Sequence, residues 1–200
     1  MSLKREQGLR TRACLIEKAQ KMFADKGFAK TRFDEIAKAQ DLTTGALYHY
    51  FKNKAEIFEQ VFKKCSKEVA IKVIESADAE NDPVKSISAG CLTYIQESSA
   101  PEYKRIMLED AISVLGWSKW KAVDAATSEQ TLVEAIGEGQ QAGVFRNDIS
   151  QEALARFISG GTNELALWAS NDSDGSFKMN ASEGVLNVLL SNITEATKND

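Results

Sequence analysis

The stretch TTGALYHYFKNK, residues 43–54, concentrates side chains suited to molecular recognition. It contains the single histidine of the sequence, His49, between two tyrosines, and it ends with Lys52 and Lys54. Hydroxyl, phenol and ammonium groups donate hydrogen bonds to phosphate oxygens, and an imidazole can read a base edge. These residue types leave two interpretations open: a short core helix, or a surface that contacts a flat, negatively charged partner.

The helical repeat predicts which side chains of this stretch face outward. Thr43 is a suitable N-cap, so a helix is predicted to begin there. At about 100° per residue, Leu47 and Phe51 share the core face, and His49 lies almost opposite them. Gly45 costs about 1 kcal/mol of helix propensity relative to alanine, so we interpret it as clearance for another surface.

Major-groove DNA is such a surface, because a recognition helix enters the groove by its N-terminal end. The groups best aimed at base edges are His49 and the backbone of Gly45 and Ala46. The hydroxyl, phenol and ammonium groups are the predicted phosphate donors, and they belong to Thr43, Thr44, Tyr48, Tyr50, Lys52 and Lys54.

Enzyme chemistry has weaker support in the sequence. The single histidine is placed on the predicted DNA-facing helix. No Ser-His-Asp or Cys-His arrangement can therefore be built around another histidine. No glycine-rich phosphate loop is present, although a pair of catalytic carboxylates stays possible. Cys14, Cys65 and Cys91 are widely spaced and predict neither a disulfide framework nor a zinc site. We expect no catalysis, no cofactor and no metal, with a thiol sensor as the alternative to three reduced cysteines.

Two further helices are predicted to position the 43–54 stretch. Apolar residues recur at helical spacing from Thr11, and Gly27 is placed to end that helix. Thr31 and Asp34 resemble a capping box that opens a short second helix, which is expected to end near Gln40. A brief turn then leads to the third helix, which completes a helix-turn-helix.

The charge distribution agrees with a nucleic-acid-binding head. Residues 1–54 hold twelve Lys and Arg against six Asp and Glu, whereas the whole chain carries a net charge of −4. A basic module on an acidic body is typical of a DNA-binding domain fused to another function, although lysines can also simply solvate a helical face.

The ordered residues of the N-terminal quarter resemble the TetR family of bacterial transcriptional regulators. The resemblance rests on a helix followed by KGF, a threonine, IAKA, and then T-x-G-x-L-Y-x-Y-F-x-x-K. It implies an all-α protein with an N-terminal three-helix DNA-binding domain and a C-terminal helical domain for ligand binding and dimerisation. Members are usually repressors that leave their operator when a small molecule binds.

The resemblance also implies roles for individual residues. Thr31 and Arg32 would contact the DNA backbone at the start of the second helix. Thr43 would cap the recognition helix, and Thr44, Gly45 and His49 would lie nearest the bases. Phosphates would be held by Tyr48, Tyr50 and Lys54. One departure is AQDLTT at the turn, where Asp41 brings a negative charge that Arg32 is expected to offset.

The body is predicted to be helical from residue 55 to residue 200, which makes about nine helices and two domains, 1–54 and 55–200. Pro83 and Pro101 begin helices, Gly116 breaks one, and Ser150 caps the eighth. A loop is expected over residues 170–177 and a frayed tail over 197–200.

The eighth and ninth helices carry more packing surface than one subunit needs. The eighth has an apolar stripe that includes Phe157 and Trp168, and a flank of small residues that includes Ser159 and Thr162. The resemblance implies that the last two helices pair with their copies in a homodimer, as a four-helix bundle. Two DNA-binding heads would then read a palindromic operator.

An effector pocket is expected in the body because the resemblance implies one. The aromatic, soft and acidic candidates are Tyr94, Tyr103, Met107, Trp117, Trp120, Phe157, Glu164 and Trp168, and any one of the aromatic or soft residues is more often an ordinary core residue than a ligand contact. Glu164 borders the apolar stripe and could meet a cationic or hydroxylated ligand, or a partner chain.

We therefore predict a cytoplasmic, sequence-specific DNA-binding regulator, a repressor released by a small-molecule effector. The alternative is a helix-turn-helix regulator or activator without an inducer, for which a fully packed body with no cavity of a few hundred Å³ would be the discriminating observation.

Overall fold

The computed structural model describes residues 3–171 and 175–194, without the side chains of Lys4 and residues 175–177. Within these ranges the chain is helical apart from turns and one isolated antiparallel β-bridge between Phe145 and Thr194. Part of the predicted 170–177 loop, residues 172–174, and the predicted tail at 197–200 lie outside the described residues.

The described helices follow one another along the chain without long connections. They are α1 (Leu3–Lys30), α2 (Phe33–Lys38), α3 (Thr44–Tyr48), α4 (Lys54–Asp78), α5 (Pro83–Ser98), α6 (Pro101–Lys104), α7 (Ala111–Leu115), α8 (Trp117–Asp124), α9 (Gln130–Gln141), α10 (Gln151–Ala169) and α11 (Gly175–Asn192). Two π-helical segments, Arg105–Asp110 and Ala125–Glu129, join α6 to α7 and α8 to α9 without interruption. The described residues thus form nine continuous helical stretches, and the all-α prediction is confirmed.

The chain divides into two compact units. We call N-terminal unit the part that ends at Ser66 together with Pro101–Trp120, and C-terminal unit the part formed by Lys67–Ala100 and the residues from Lys121 onward. The predicted domain boundary after residue 54 differs from this division, and as a functional boundary it stays a prediction.

Phenylalanine rings form the centre of the N-terminal unit. The ring centroids of Phe23 and Phe58 are 5.2 Å apart, and Phe28 packs against both. Gly27 has φ +80°, so α1 departs from regular helix geometry there, as the sequence predicts. Glycine suits this position for two reasons: it tolerates the positive φ, and a Cβ here would lie 3.1 Å from the Arg105 side chain.

The second helix begins one residue later than the sequence predicts. Its N-cap is Arg32, whose backbone N–H donates to Glu35 Oε2 at 3.4 Å. The Thr31 hydroxyl instead donates to the Gly27 carbonyl at 2.8 Å, so the predicted Thr31–Asp34 capping box is wrong. Thr31 closes the end of α1 because the Gly27 carbonyl lies within its reach.

Bulky and small side chains pack together at the centre of the C-terminal unit. Its buried cluster comprises Ile87, Cys91, Ile136, Phe145, Ala155, Ile158, Leu186 and Leu190. A Cβ on Gly139 would lie 2.2 Å from the Phe145 ring, so this glycine makes room for a fully buried phenylalanine. The two are adjacent because Val144 and Phe145 both donate backbone hydrogen bonds to the Gly139 carbonyl at the end of α9.

The predicted helix boundaries of the body are confirmed where local chemistry sets them. Asp82 caps α5 immediately before Pro83, and Ser150 Oγ accepts the Ala153 N–H at 3.3 Å at the start of α10. Gly116 separates α7 from α8 with φ +78°. Among the described helices, none combines the length and the apolar character that crossing a membrane requires.

Candidate functional site

The third helix presents the outward face that the sequence predicts. Leu47 and Phe51 are buried at 0% and 1% exposure, whereas Tyr48 is 58% exposed and His49 is exposed at the C-cap of α3. Thr43 Oγ1 accepts the Ala46 N–H at 3.1 Å, so the predicted cap is present. These contacts fix the helix by its inner face and its first turn, and they leave Tyr48 and His49 exposed while Thr44 and Tyr50 are half-buried.

Several polar groups of this face have no hydrogen-bond partner among the described residues. They are the hydroxyls of Thr44, Tyr48 and Tyr50, the imidazole of His49 and the ammonium of Lys52. The Tyr48 ring packs against the Phe33 ring, with 4.9 Å between centroids. This contact positions the Tyr48 hydroxyl, which has no hydrogen-bond partner among the described residues. Groups that are held in place but unsatisfied are suited to an external partner.

Gly45 lies on the exposed side of the same helix. A Cβ built there would meet only Thr43 Oγ1, at 3.9 Å. Internal packing does not require a glycine at this position, which favours the interpretation that it gives clearance to something outside.

Two residues predicted to bind phosphate have internal roles instead. Thr31 is 1% exposed, and both its hydroxyl and its N–H donate to carbonyls at the end of α1. Lys54 Nζ donates to the carbonyl oxygens of Phe28 at 2.6 Å and Thr31 at 2.7 Å. Burial lowers the pKa of the Lys54 ammonium, and the charge of Asp110 acts in the opposite direction. We therefore do not carry Thr31 and Lys54 forward as DNA contacts.

Arg32 is exposed, but an acidic neighbour occupies it. Asp34 Oδ1 lies 3.0 Å from Arg32 Nε, and Asp34 Oδ2 lies 3.2 Å from Lys38 Nζ. Hydrogen bonding to Arg32, followed by that to Lys38, lowers the pKa of the Asp34 carboxyl. Arg32 pairs with Asp34, and the expected offset of the Asp41 charge by Arg32 stays a prediction.

Asp41 occupies the turn before α3 with φ +53°. Aspartate tolerates this left-handed conformation better than most residues, although glycine adopts it without strain. The side chain is exposed, so the turn between α2 and α3 carries an exposed negative charge.

A second candidate site is a cavity inside the C-terminal unit. Its volume is about 70 Å³. It is lined by α4 (Ala70, Val73, Ile74, Ala77), α5 (Ser86, Ile87, Gly90, Cys91, Tyr94), α8 with the following π-helical segment (Asp124, Thr127, Ser128), α9 (Thr131, Leu132, Ala135) and α10 (Ser159, Thr162, Asn163).

The cavity contains one of the eight predicted effector residues. Tyr94 lines it, and its phenol donates to Asn163 Oδ1 at 2.5 Å; burial raises the pKa of that phenol. Four of the others belong to the N-terminal unit, where Trp117 stacks on Trp120; these are Tyr103, Met107, Trp117 and Trp120. Phe157, Glu164 and Trp168 are exposed on α10. The prediction therefore grouped residues that the fold separates.

The polar wall of the cavity was missed by sequence reasoning. Asp124 Oδ2 lies 2.8 Å from Lys121 Nζ and accepts the Ser159 hydroxyl at 3.4 Å. Lys121 also pairs with Glu129 at 2.6 Å, and Arg156 reaches Glu129 at 3.3 Å. The sequence feature that could have indicated this wall is the small flank of α10, in which the polar residues Ser159 and Thr162 recur at helical spacing.

An apolar groove of about 350 Å³ lies between α10 and α11. Its walls include Phe157, which is 64% exposed, and Leu189, which is 41% exposed. The small flank of α10 is buried, with Ala155 and Ala166 at 0% exposure, and Ile158 is buried beside it, whereas Phe157 and Trp168 of the bulky stripe are exposed. An exposed apolar surface of this kind marks an interaction site.

Both units match known families in sequence. Residues 15–61 match the family described as "Bacterial regulatory proteins, tetR family". Residues 84–193, more than half of the chain, match "Tetracyclin repressor-like, C-terminal domain".

Curated relatives extend the match across most of the chain. A probable acrEF/envCD operon repressor of Escherichia coli K12 is 27% identical over 166 residues, which cover 77% of this chain and 73% of the relative. The HTH-type transcriptional repressor KstR2 of Mycolicibacterium smegmatis is 25% identical over 160 residues, 77% of each chain. A crystal structure of a TetR-family transcriptional regulator from Pectobacterium atrosepticum has a TM-score of 0.81 and 27% identity, and it covers 96% of this chain and 98% of that one.

Proposed function

The chain belongs to the tetR family of bacterial regulatory proteins, and on that premise we propose that it is a repressor released from its operator by a small effector. It is a DNA-binding transcriptional regulator. The observation that carries the proposal is the outward face of α3, where positioned polar groups lie opposite the buried Leu47 and Phe51. A regulator of this kind acts on the chromosome, so we propose that it works in the cytoplasm.

The DNA contacts that we propose are a reduced set of those predicted. Base edges would be read by His49 and by the exposed backbone at Gly45 and Ala46. Phosphates would be bound by the donors without internal partners, which are the exposed Tyr48 and Lys52 and the half-buried Thr44 and Tyr50, with Thr43 holding the helix start. Arg32 would contribute its exposed guanidinium while it remains paired with Asp34.

We propose that the chain acts as a homodimer through α10 and α11 and reads a palindrome. In support, large apolar side chains that line the groove are exposed on both helices, namely Phe157, Val185 and Leu189, and Val188 is also exposed on α11. A two-fold interface uses the same surface patch on both subunits, so one apolar patch per subunit is sufficient to form a dimer. Two heads related by that symmetry match two half-sites.

The C-terminal cavity supports the effector part of the proposal. A body with no cavity of a few hundred Å³ would favour a regulator without an inducer. At about 70 Å³ the cavity leaves that alternative open, and the effector part rests on the polar groups of its wall and on the family's usual release by a small molecule. We propose no catalytic activity. Activation instead of repression would use the same DNA contacts. A reporter assay therefore decides whether the protein lowers or raises transcription.

The test is binding of the full chain to a duplex from its own promoter region, measured by fluorescence anisotropy. We expect affinity above that for a random duplex and a linear fall of log K with log salt concentration. A reporter under that promoter should increase when the protein is deleted. Equal affinity for promoter and random duplexes at every salt concentration would refute sequence-specific regulation by this protein at that site.

A further inference from the structure

We propose that the C-terminal cavity selects a small, uncharged molecule with a short apolar body and one hydroxyl group, held between Asp124 Oδ1 and the Thr162 hydroxyl. This inference rests on the proposed function and specifies the chemical class of its effector. It is carried by the apolar walls of the cavity, by an unused buried hydroxyl, and by the charge balance around its one carboxylate.

The size and the walls of the cavity limit the ligand first. Most of the wall is apolar, from α4, α5 and α9, including Val73, Ile87 and Leu132. A buried apolar cavity of about 150 Å³ holds a benzene molecule. At about 70 Å³, this cavity encloses about half that volume, so the part of a ligand that it surrounds is a body of a few carbon atoms.

Thr162 provides an unused polar group in the wall. It is 5% exposed, it lines the cavity, and its Oγ1 has no hydrogen-bond partner among the described residues. The Cys91 thiol is its neighbour, and hydrogen bonding from Thr162 lowers the pKa of that thiol against the larger effect of burial. The two observations differ, because by distance and angle Thr162 Oγ1 has no partner; sulfur is a weak partner in either case, so a ligand oxygen would be the stronger one. A buried hydroxyl without a partner costs free energy, and a ligand oxygen in the cavity would remove that cost.

Asp124 provides the complementary acceptor. Its Oδ2 is occupied by Lys121 and by the Ser159 hydroxyl, whereas none of the described residues bonds its Oδ1. Ser159 and Thr162 are three residues apart on α10, so they lie on the same face of that helix. A ligand hydroxyl can donate to a carboxylate oxygen and accept from a threonine hydroxyl at the same time.

The surrounding charges favour an uncharged ligand. Asp124 is the one charged residue in the wall, and Lys121 neutralises it at 2.8 Å. Lys121 is shared with Glu129, which Arg156 also contacts, so two carboxylates are balanced by two cations. A cationic ligand would find no unpaired anion, and an anionic ligand would face Asp124. Either would lose hydration without gaining a partner.

The test compares three probes of similar length and different charge: butan-1-ol, butylammonium and butyrate. Each is titrated into the isotopically labelled full-length protein, and the backbone amide resonances of the lining residues Gly90 and Ala135 are followed by NMR. We expect saturable shifts with butan-1-ol and at least tenfold weaker binding of the two ions. Saturable binding of either ion with an affinity equal to that of butan-1-ol would overturn the inference, and so would the absence of any saturable shift with the alcohol.

A matched pair of variants tests the hydroxyl. Thr162→Val keeps the shape and removes the unused hydroxyl, so butan-1-ol should bind about 5- to 10-fold more weakly. Thr127→Val is the control, because the Thr127 hydroxyl lines the same cavity but already donates to the Val123 carbonyl at 2.9 Å. Thr162→Ser keeps the hydroxyl and should retain binding, which supplies the test if the valine variant does not fold. Unchanged affinity in a folded Thr162→Val protein would exclude this role for Thr162.

The probe titrations test the ligand class, and the DNA assay tests effector release, so either claim can fail without the other. Binding of butan-1-ol without any effect on the promoter complex would support the ligand class and count against effector release. Release of the protein from DNA by a charged compound would support effector release and overturn the ligand class.

Discussion

Lys54 contacts Phe28 in two ways: its ammonium donates to the Phe28 carbonyl oxygen at 2.6 Å and lies 4.1 Å from the centroid of the Phe28 ring. A third contact, to the Thr31 carbonyl at 2.7 Å, ties the first residue of α4 to the turn between α1 and α2. A lysine that belongs to a DNA-binding signature in the sequence is therefore a structural cation in the folded protein.

The first prediction separates this role from that of Lys52. Lys54→Ala should lower the free energy of unfolding by about 1–3 kcal/mol, because hydrogen bonds from a charged donor are lost at a partly buried place. Its effect on the salt dependence of DNA binding should be negligible. Lys52→Ala should leave stability unchanged and reduce the salt slope by about 1. Urea unfolding and anisotropy at several salt concentrations measure the two effects, and a reversed pattern would return Lys54 to the DNA surface.

The second prediction concerns the imidazole on the outward face. His49→Ala should reduce discrimination at one base position of the operator by about 1–3 kcal/mol, because a base-edge contact is lost, while affinity for random DNA changes little. Competition with operators that carry single base changes measures this. Tyr50→Phe, which removes one proposed phosphate donor, is the comparison and should weaken all sequences alike. The assignment fails if the two variants give the same profile.

The third prediction uses the carboxylate that Arg32 and Lys38 share. Asp34→Asn removes the negative charge that pairs with both cations, so affinity for random duplexes should increase and the salt slope should become steeper. Glu59→Gln removes one negative charge away from the helix-turn-helix, where Glu59 pairs with Lys63 and Lys119, and serves as the control. Equal gains from both variants would indicate a general charge effect only.

The fourth prediction tests the proposed dimer face. Val188 is 62% exposed on α11, so Val188→Glu should disturb little within one subunit while it buries a charge in a two-fold interface. Sedimentation should detect monomers, and operator affinity should fall because one head has half the contacts. Ala79→Glu, at an exposed position after α4, should leave the dimer intact. A Val188→Glu protein that remains fully dimeric would place the interface elsewhere.

The fifth prediction concerns alkaline pH. Burial raises the pKa of the Cys91 thiol from 9.0 to about 11, against a smaller opposing effect of the Thr162 hydroxyl. The thiol is ionised more readily in the unfolded chain, so its contribution to stability is complete below about pH 9 and is lost as the pH rises toward 11. The loss should reach about 2 kcal/mol by pH 10.5.

Urea unfolding at pH 8 and pH 10.5 under reducing conditions checks this. Cys91→Ala should show a smaller difference between the two pH values, whatever its stability at pH 8. The half-buried Cys14 gives the control variant, Cys14→Ala, which should keep the wild-type difference. The same raised pKa makes a thiolate at Cys91 scarce near neutral pH, which disfavours this residue as a thiol sensor.

The sequence predicts the parts of the fold that short-range chemistry sets. Ser150 caps α10, Gly116 interrupts the helical path, and Leu47 with Phe51 faces inward, as their spacing indicates. Each of these outcomes depends on residues within one helical turn. The resemblance to a known family supplies the order of the two domains along the chain, which spacing alone does not.

Long-range contacts account for the residues that sequence reasoning misassigned. Lys54 and Phe28 are 26 positions apart, and nothing in the local pattern indicates that a carbonyl group is within reach of the ammonium. The effector prediction selected large aromatic residues, but the cavity borders small and polar side chains such as Ser159 and Thr162. Voids form where side chains are short, so a search for bulky residues finds the core and the surface instead.

Thr162 borders both the cavity and the α10–α11 groove, so one helical turn is common to the ligand wall and the proposed subunit contact. If the effector binds the monomer and the proposed dimer with different affinities, its binding is thermodynamically linked to self-association. The apparent effector affinity would then vary with protein concentration across the range in which monomers and dimers exchange. Dose–response curves of this regulator would therefore depend on its copy number in the cell as well as on the effector level.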